Sequence, residues 1–216
     1  VYKRQAEVWS LREAPLEAGG EASDEEKRTA TGTYEPGDPL GLLFPRHVAG
    51  EEFVDVTTYG PTHKTTDIFD GEAVREALLP FGREPADIHA AVGYTRGRSI
   101  WLLALRVEGM AGEDLVDVVL GAMTDQLPID PTASLSAETL GGQAVSVLRY
   151  PLQPDSAQAF YPKGEVLFVV TASSRQPGPC ERTFAYCSPD EMLATVVDEL
   201  AQGRGGFTPE ELERME

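Results

Sequence analysis

The sequence predicts an α+β domain: an antiparallel sheet built from hairpins, with about three amphipathic helices packed on one face, over residues 40–202. Two observations predict it. Three segments share the apolar spacing i, i+3, i+4, i+7, which puts one face of a helix on a core. Between them, runs with strand character come in pairs joined by short Gly-containing turns.

The three helical segments are Val74, Ala77, Leu78 and Phe81; Leu115, Val118, Val119 and Ala122; and Leu193, Val196, Val197 and Leu200. Start signals accompany two of them. Asp70 is placed to cap the first. Ser188-Pro189-Asp190-Glu191 supplies an N-cap, a Pro at the first helical position and a Glu in capping-box position for the third. Thr208-Pro209-Glu210-Glu211 repeats that pattern near the chain end, so residues 203–216 read as a tail or the start of a further helix.

The strand pairs follow in order. Ile88, Ala90, Val92 and Tyr94 alternate inward, with His89, Ala91 and Gly93 opposite. Thr95-Arg96-Gly97-Arg98 turns the chain into Ser99–Val107, which is apolar on both faces and so central in the sheet or at an interface. Ala133–Leu140 and Gln143–Tyr150 are joined by Gly141-Gly142, a strong hairpin signal. Ala157–Tyr161 and Glu165–Thr171 are joined by Pro162-Lys163-Gly164, and Phe53–Thr58 is an earlier strand. The helix-plus-hairpin unit at 71–107 recurs at 112–149, which raises an internal duplication with a step of about 40 residues. Two adjacent units of that kind also arise from short connections alone.

Residues 1–39 lack an apolar period and carry nine acids against five bases. An acidic stretch rich in Gly and Pro cannot bury enough apolar area to offset the entropy of ordering, so it reads as a flexible acidic linker or tail. Val1-Tyr2-Lys3-Arg4-Gln5 resembles the translation of a sequencing-library adapter and is set aside from the fold.

The net charge of −18 excludes function classes. Binding to nucleic acid or to an anionic membrane surface rests on basic side chains that neutralise phosphates, and this chain repels them. No stretch has the length and hydropathy for the chain to insert in a membrane. The chain has no Asn, four Lys and four Ile, the pattern of a high-GC genome. Codon usage thus explains the scarce Lys, though not the 36 carboxylates.

Chemistry-bearing motifs are few. Cys180 and Cys187 lie in the irregular segment Ser173–Ser188 with six residues between them, a spacing that suits a local disulfide or two free thiols. Closing so short a loop contributes about 2–3 kcal/mol at most. The spacing is wrong for zinc or for a C-x-x-C redox pair. His47, His63 and His89 are scattered and form no H-x-x-x-H or H-E-x-x-H pair. There is no G-x-S-x-G, Walker loop or G-x-G-x-x-G, so no catalytic residue, metal or cofactor is assigned. Arg96 and Arg98 on their hairpin are a compact basic spot, and Phe184 and Tyr186 sit inside the cysteine segment. Those four are the candidate partner contacts, with a solvated turn and a loop core as the alternatives.

Leu42-Leu43-Phe44-Pro45, Val48-Ala49-Gly50, Leu140-Gly-Gly-Gln-Ala-Val-Ser-Val147 and Gly164-Glu-Val-Leu-Phe-Val-Val170 form a pattern over about 40–202. It resembles secreted or lipid-anchored α+β domains of high-GC bacteria whose function is unassigned. The resemblance implies an extracytoplasmic, cell-envelope domain and carries over no catalytic residue. The leading expectation is a non-enzymatic binding or interaction domain for a protein or cell-envelope component. The alternatives are a hydrolase whose carboxylates meet in space, and an intracellular scaffold or oligomerisation domain using strand 99–107.

Overall fold

A computed structural model describes residues 39–48, 50–59, 71–124, 132–174, 188–203 and 206–215. The chain enters through a 3-10 turn, Leu40–Leu43, into β1 (His47–Val48) and β2 (Glu51–Tyr59). α1 (Gly71–Leu78) leads to the hairpin β3 (Ile88–Thr95) and β4 (Ile100–Val107). α2 (Gly112–Thr124) leads to β5 (Ser134–Leu140), β6 (Gln143–Arg149), β7 (Ser156–Lys163) and β8 (Val166–Ser173). α3 (Pro189–Gln202) and α4 (Pro209–Met215) close the chain.

All eight strands form one antiparallel sheet in the order β1-β2-β3-β4-β8-β7-β6-β5. Two four-strand meanders therefore meet at the β4–β8 seam. The helix-plus-hairpin order does recur as α1–β3–β4 and α2–β5–β6, but β7 and β8 separate the two hairpins in space. The predicted turn Pro162-Lys163-Gly164 lies one step later: Pro162 and Lys163 finish β7, and Gly164 takes the left-handed backbone at φ 61°.

The helices do not share one face, which corrects the expectation from sequence. α1 and α2 cover one side, where Val74, Leu78, Leu115, Val118 and Val119 pack on Trp101, Leu103, Leu105, Leu167 and Val169. α3, α4 and the 3-10 turn cover the other, over Ile100, Leu102, Ala104, Phe168 and Val170. The cause is in β4, which is buried along its whole length. Its pleat sends apolar side chains to both sides, and a single helical layer leaves one set in water. The two-sided character of 99–107 is thus satisfied within the chain, by a central strand. His89 accordingly has no outward face. It is half-buried on the α3/α4 side opposite Arg106, and desolvation, then the Arg106 charge, hold its imidazole below the ordinary value.

α3 and α4 are fixed by the caps their sequences encode. Ser188 Oγ accepts from Glu191 N at 3.2 Å, and Gly203 ends α3 at φ 64°. The Lys163 ammonium donates to the α3 carbonyls of Leu200 at 2.7 Å and Ala201 at 3.3 Å, a cation at the negative end of the helix. Thr208 and Glu211 cap α4 reciprocally, at 2.9 and 3.3 Å. Phe207 and Leu212 are buried in the α3/α4 core, so residues 206–215 belong to the domain.

Candidate functional site

One end of the sheet gathers the hairpin 95–99, the starts of β2, β5 and β7, and the ends of β6 and β8. Ser173 N donates to Ser99 O at 2.8 Å, and Ser174 N donates to Asp155 O at 2.8 Å. The chain leaves this end at Ser174 and returns at Ser188. Loops held at one end of a rigid sheet are the usual place for contact residues.

The hairpin is unusual in its backbone. Arg98 N donates to Thr95 O at 2.7 Å, closing a four-residue turn, and Arg98 itself sits at φ 55°. It is the one non-glycine with positive φ among the described residues. Beside the adjacent Gly97 the Glu51 carboxylate fills the space a Cβ would take, 2.5 Å from Oε1, so a side chain there would have to displace it. Glu51 is held in that place by Ser99 Oγ, which donates to its Oε2 at 2.7 Å.

The left-handed turn carries the Arg98 guanidinium over the Tyr94 ring, 5.1 Å from its centroid. Tyr94 Oη donates to Asp55 Oδ2. That partnership depends on a bulge in β2: Phe53 pairs with Thr95, but Asp55 pairs with Tyr94, so Val54 is the extra residue. Without the bulge Val54 would stand opposite Tyr94. The bulge re-aims the strand and puts a carboxylate under the phenol. Tyr94, Arg98, Ile100 and Trp101 together line a small surface depression.

Arg96 and Arg98 are therefore not a bare basic patch. Arg96 pairs with Glu52 at 3.0 Å, and Arg98 lies on the face of Tyr94. Arg98 is exposed and Tyr94 half-exposed. The result is an aromatic-cationic ledge with the carboxylates of β2 bonded to Arg96, Tyr94 and Ser99 around it.

Behind the ledge a row of cross-strand neighbours crosses the α1/α2 face: Asp55, Tyr94, Trp101, Thr171 and Gln158. Gln158 Nε2 donates to Thr171 Oγ1 at 3.1 Å, in a core site with 4% of Gln158 exposed. Its Oε1 is buried with no hydrogen-bond partner among the described residues.

A second cluster fixes the point where the chain returns. Arg149 at the end of β6 binds Glu138 on β5 through both guanidinium nitrogens, and Asp190 in the first turn of α3 at 2.8 Å. Hydrogen bonds from Arg149, then from Ser136, hold the Glu138 carboxyl below its ordinary range. The same contacts, Glu138 first, raise the Arg149 pKa. The beginning of α3 is thereby tied to the sheet edge.

Cys180, Cys187, Phe184 and Tyr186 lie outside the described residues, as do His63 and Asp70. His47 is exposed on β1, directly across from Glu52, the partner of Arg96. Among the described residues, no three His, Cys, Asp or Glu side chains gather as a metal site. No helix among them is long and apolar enough to cross a membrane. Asp55, Tyr94, Trp101 and the Gln158–Thr171 pair went unread in the sequence. The signal for Asp55 was present: Phe53 and Val56 are three apart, a parity break that only a bulge reconciles with one strand face.

No protein-family model matches the chain, and no curated protein matches it either.

Proposed function

We propose that the chain is a non-enzymatic binding module of the cell envelope, which meets its partner through the hairpin end of the sheet. The observation that carries this reading is Arg98 in the left-handed region with its guanidinium on Tyr94. A left-handed L-residue is strained, and such strain persists where the surrounding structure holds it for a purpose. Glycine in that position would turn the chain with less strain. Arginine there holds a cation and an aromatic face at the surface, a combination enriched in protein contacts. The cation and the ring side by side favour a partner that offers a planar or apolar group with an acceptor beside it. Phe184 and Tyr186 belong to the segment that leaves and rejoins the domain at this end, which supports their part in the same contact. The acidic stretch before residue 40 serves as the tether.

Placement outside the cytoplasm rests on the resemblance and on the cysteine pair. Intact-mass measurement with and without reductant tests it. A bonded Cys180–Cys187 pair gains the mass of two hydrogens on reduction; an unchanged mass in protein purified under air removes this support.

The binding reading is tested by co-sedimentation with isolated cell-envelope fractions of high-GC bacteria, wild type against Tyr94→Ala/Arg98→Ala. Retention of the wild type and loss in the double variant is expected. Equal retention of both, or release of both into the supernatant, overturns it.

A further inference from the structure

The two edges of the sheet are not alike. β1 is two residues long, and such a short strand is a poor template for another chain. β5 is seven residues long, pairs with β6 in unbroken register from Ser134↔Arg149 to Leu140↔Gln143, and among the described residues ends the sheet on that side. Native edges are ordinarily blunted by Lys, Pro, bulges or an unpaired inward charge. β5 has no Lys, Arg or Pro. Its single charge, Glu138, is neutralised by Arg149.

The faces of β5 differ as well. α3 passes close over the β5–β6 turn on one side: a Cβ on Gly141 would lie 2.8 Å from Ala194 O and Asp198 N. On the side shared with α1 and α2, Leu135 is 50% exposed, and Ala137 and Thr139 are open.

We propose that β5 pairs antiparallel with β5 of a second copy of this chain, about a two-fold axis at Ala137, joining the two sheets into one. The strand is complementary to itself in this register. Leu135 falls opposite Thr139 on the open face, and Ser136 falls opposite Glu138. Ser136 Oγ and Arg149 both donate to Glu138 of their own chain, so this face enters the pairing with its carboxylate already satisfied. No like charges stand directly opposed, which is the condition for cross-strand pairing. A C2 pairing of identical strands is isologous and closes, so it yields a dimer and not a fibre. Away from the edge, the net charge of −18 on each copy opposes association. The dimer therefore strengthens as salt screens that repulsion.

Sedimentation equilibrium on the full chain, at low and at physiological ionic strength, tests this. Two chains per particle are expected, with tighter association at the higher salt. Ala137→Lys puts two ammonium groups face to face at the axis while sitting at an exposed position of the single chain. It is expected to reduce the mass to one chain with an unchanged circular dichroism spectrum. Thr139→Lys, also exposed, sets an ammonium against Leu135 of the second copy on the open face and supplies a second test should the first variant fold poorly. Hydrogen exchange adds a local readout: the alternate β5 amides that point away from β6 are protected in the wild-type dimer and exchange freely in the variants. A wild type that stays monomeric at both salts overturns the proposal. So does a dimer that survives Ala137→Lys and Thr139→Lys with β5 exchange unaltered.

Discussion

Arg98→Gly and Arg98→Ala separate backbone strain from side-chain contact at one position. Both remove the guanidinium from the Tyr94 ring, 5.1 Å away, a loss of about 0.5–1 kcal/mol for an exposed cation–π pair. They differ in the backbone. Arg98 stands at φ 55°, and the left-handed region costs an L-residue about 1–2 kcal/mol. Alanine keeps that cost. Glycine removes it and gives back about 0.4–1 kcal/mol through the greater freedom of its unfolded chain. The glycine variant should therefore exceed the alanine variant by about 0.5–1 kcal/mol and lie near the wild type. For a chain of this size that is a difference of about 1–4 °C in Tm. Urea denaturation at fixed salt reads it directly, provided m is unchanged between variants. Equal stability of the two variants refutes the strain at Arg98. The envelope co-sedimentation then completes the argument. Both variants should lose retention, the glycine variant despite its restored stability. A glycine variant that binds like the wild type shows that the strain serves something other than the contact.

Three further outcomes follow from the packing. Thr171→Val leaves the buried Gln158 amide without its acceptor and should cost about 1–3 kcal/mol, whereas Thr171→Val with Gln158→Leu removes both polar groups and should recover most of it; a double-mutant cycle by urea denaturation reads the coupling, and independent additive losses contradict it. Gly112→Ala at the start of α2 would place a Cβ 2.5 Å from Val166 O, a backbone atom inside the sheet, so a loss of about 1–3 kcal/mol is expected, with a wild-type Tm as the contrary result. Glu138 is held below its ordinary value of 4.5 by Arg149, so its contribution is present above that pH and is lost as pH falls through the depressed folded value. The stability gap between wild type and Glu138→Gln should be widest at neutral pH and narrow in acid; a gap independent of pH, measured by denaturation across that range, removes Glu138 from the acid response.

The sequence was most legible where local rules and burial agree. The three apolar periods around Val74, Leu115 and Leu193 became α1, α2 and α3, because an amphipathic stripe has one solution against a sheet. The hairpin at Gly141-Gly142 formed where the turn residues placed it, with φ 53° and 76°. The layer arrangement differs from the expectation for a definable reason. A run 99–107 apolar on both faces and helices on one face only are incompatible: a strand apolar on both sides requires a cover on each. Periodicity tells that a helix has an apolar face, but not which side of the sheet receives it, since that depends on the strand order. The β4–β8 seam sets that order and joins residues about seventy positions apart in sequence.

The ledge was illegible for a different reason, and the reason bears on what it does. Every rule that reads strands and turns from sequence assumes the least strained choice: Gly where φ is positive, and strict alternation along a strand. At the hairpin end both assumptions fail side by side. The turn has a glycine at 97, yet the left-handed position falls one residue later, at Arg98. β2 breaks its alternation at Val54, so Asp55 and not an apolar side chain meets Tyr94. Either departure alone would be a local accident of packing. Together they converge on one phenol ring, from which the carboxylate holds the hydroxyl and the guanidinium covers the face. The same two departures also serve packing: Tyr94 is partly buried against the α1/α2 core, and the bulge lets Phe53 and Val56, three apart, both be buried on the other side of the sheet.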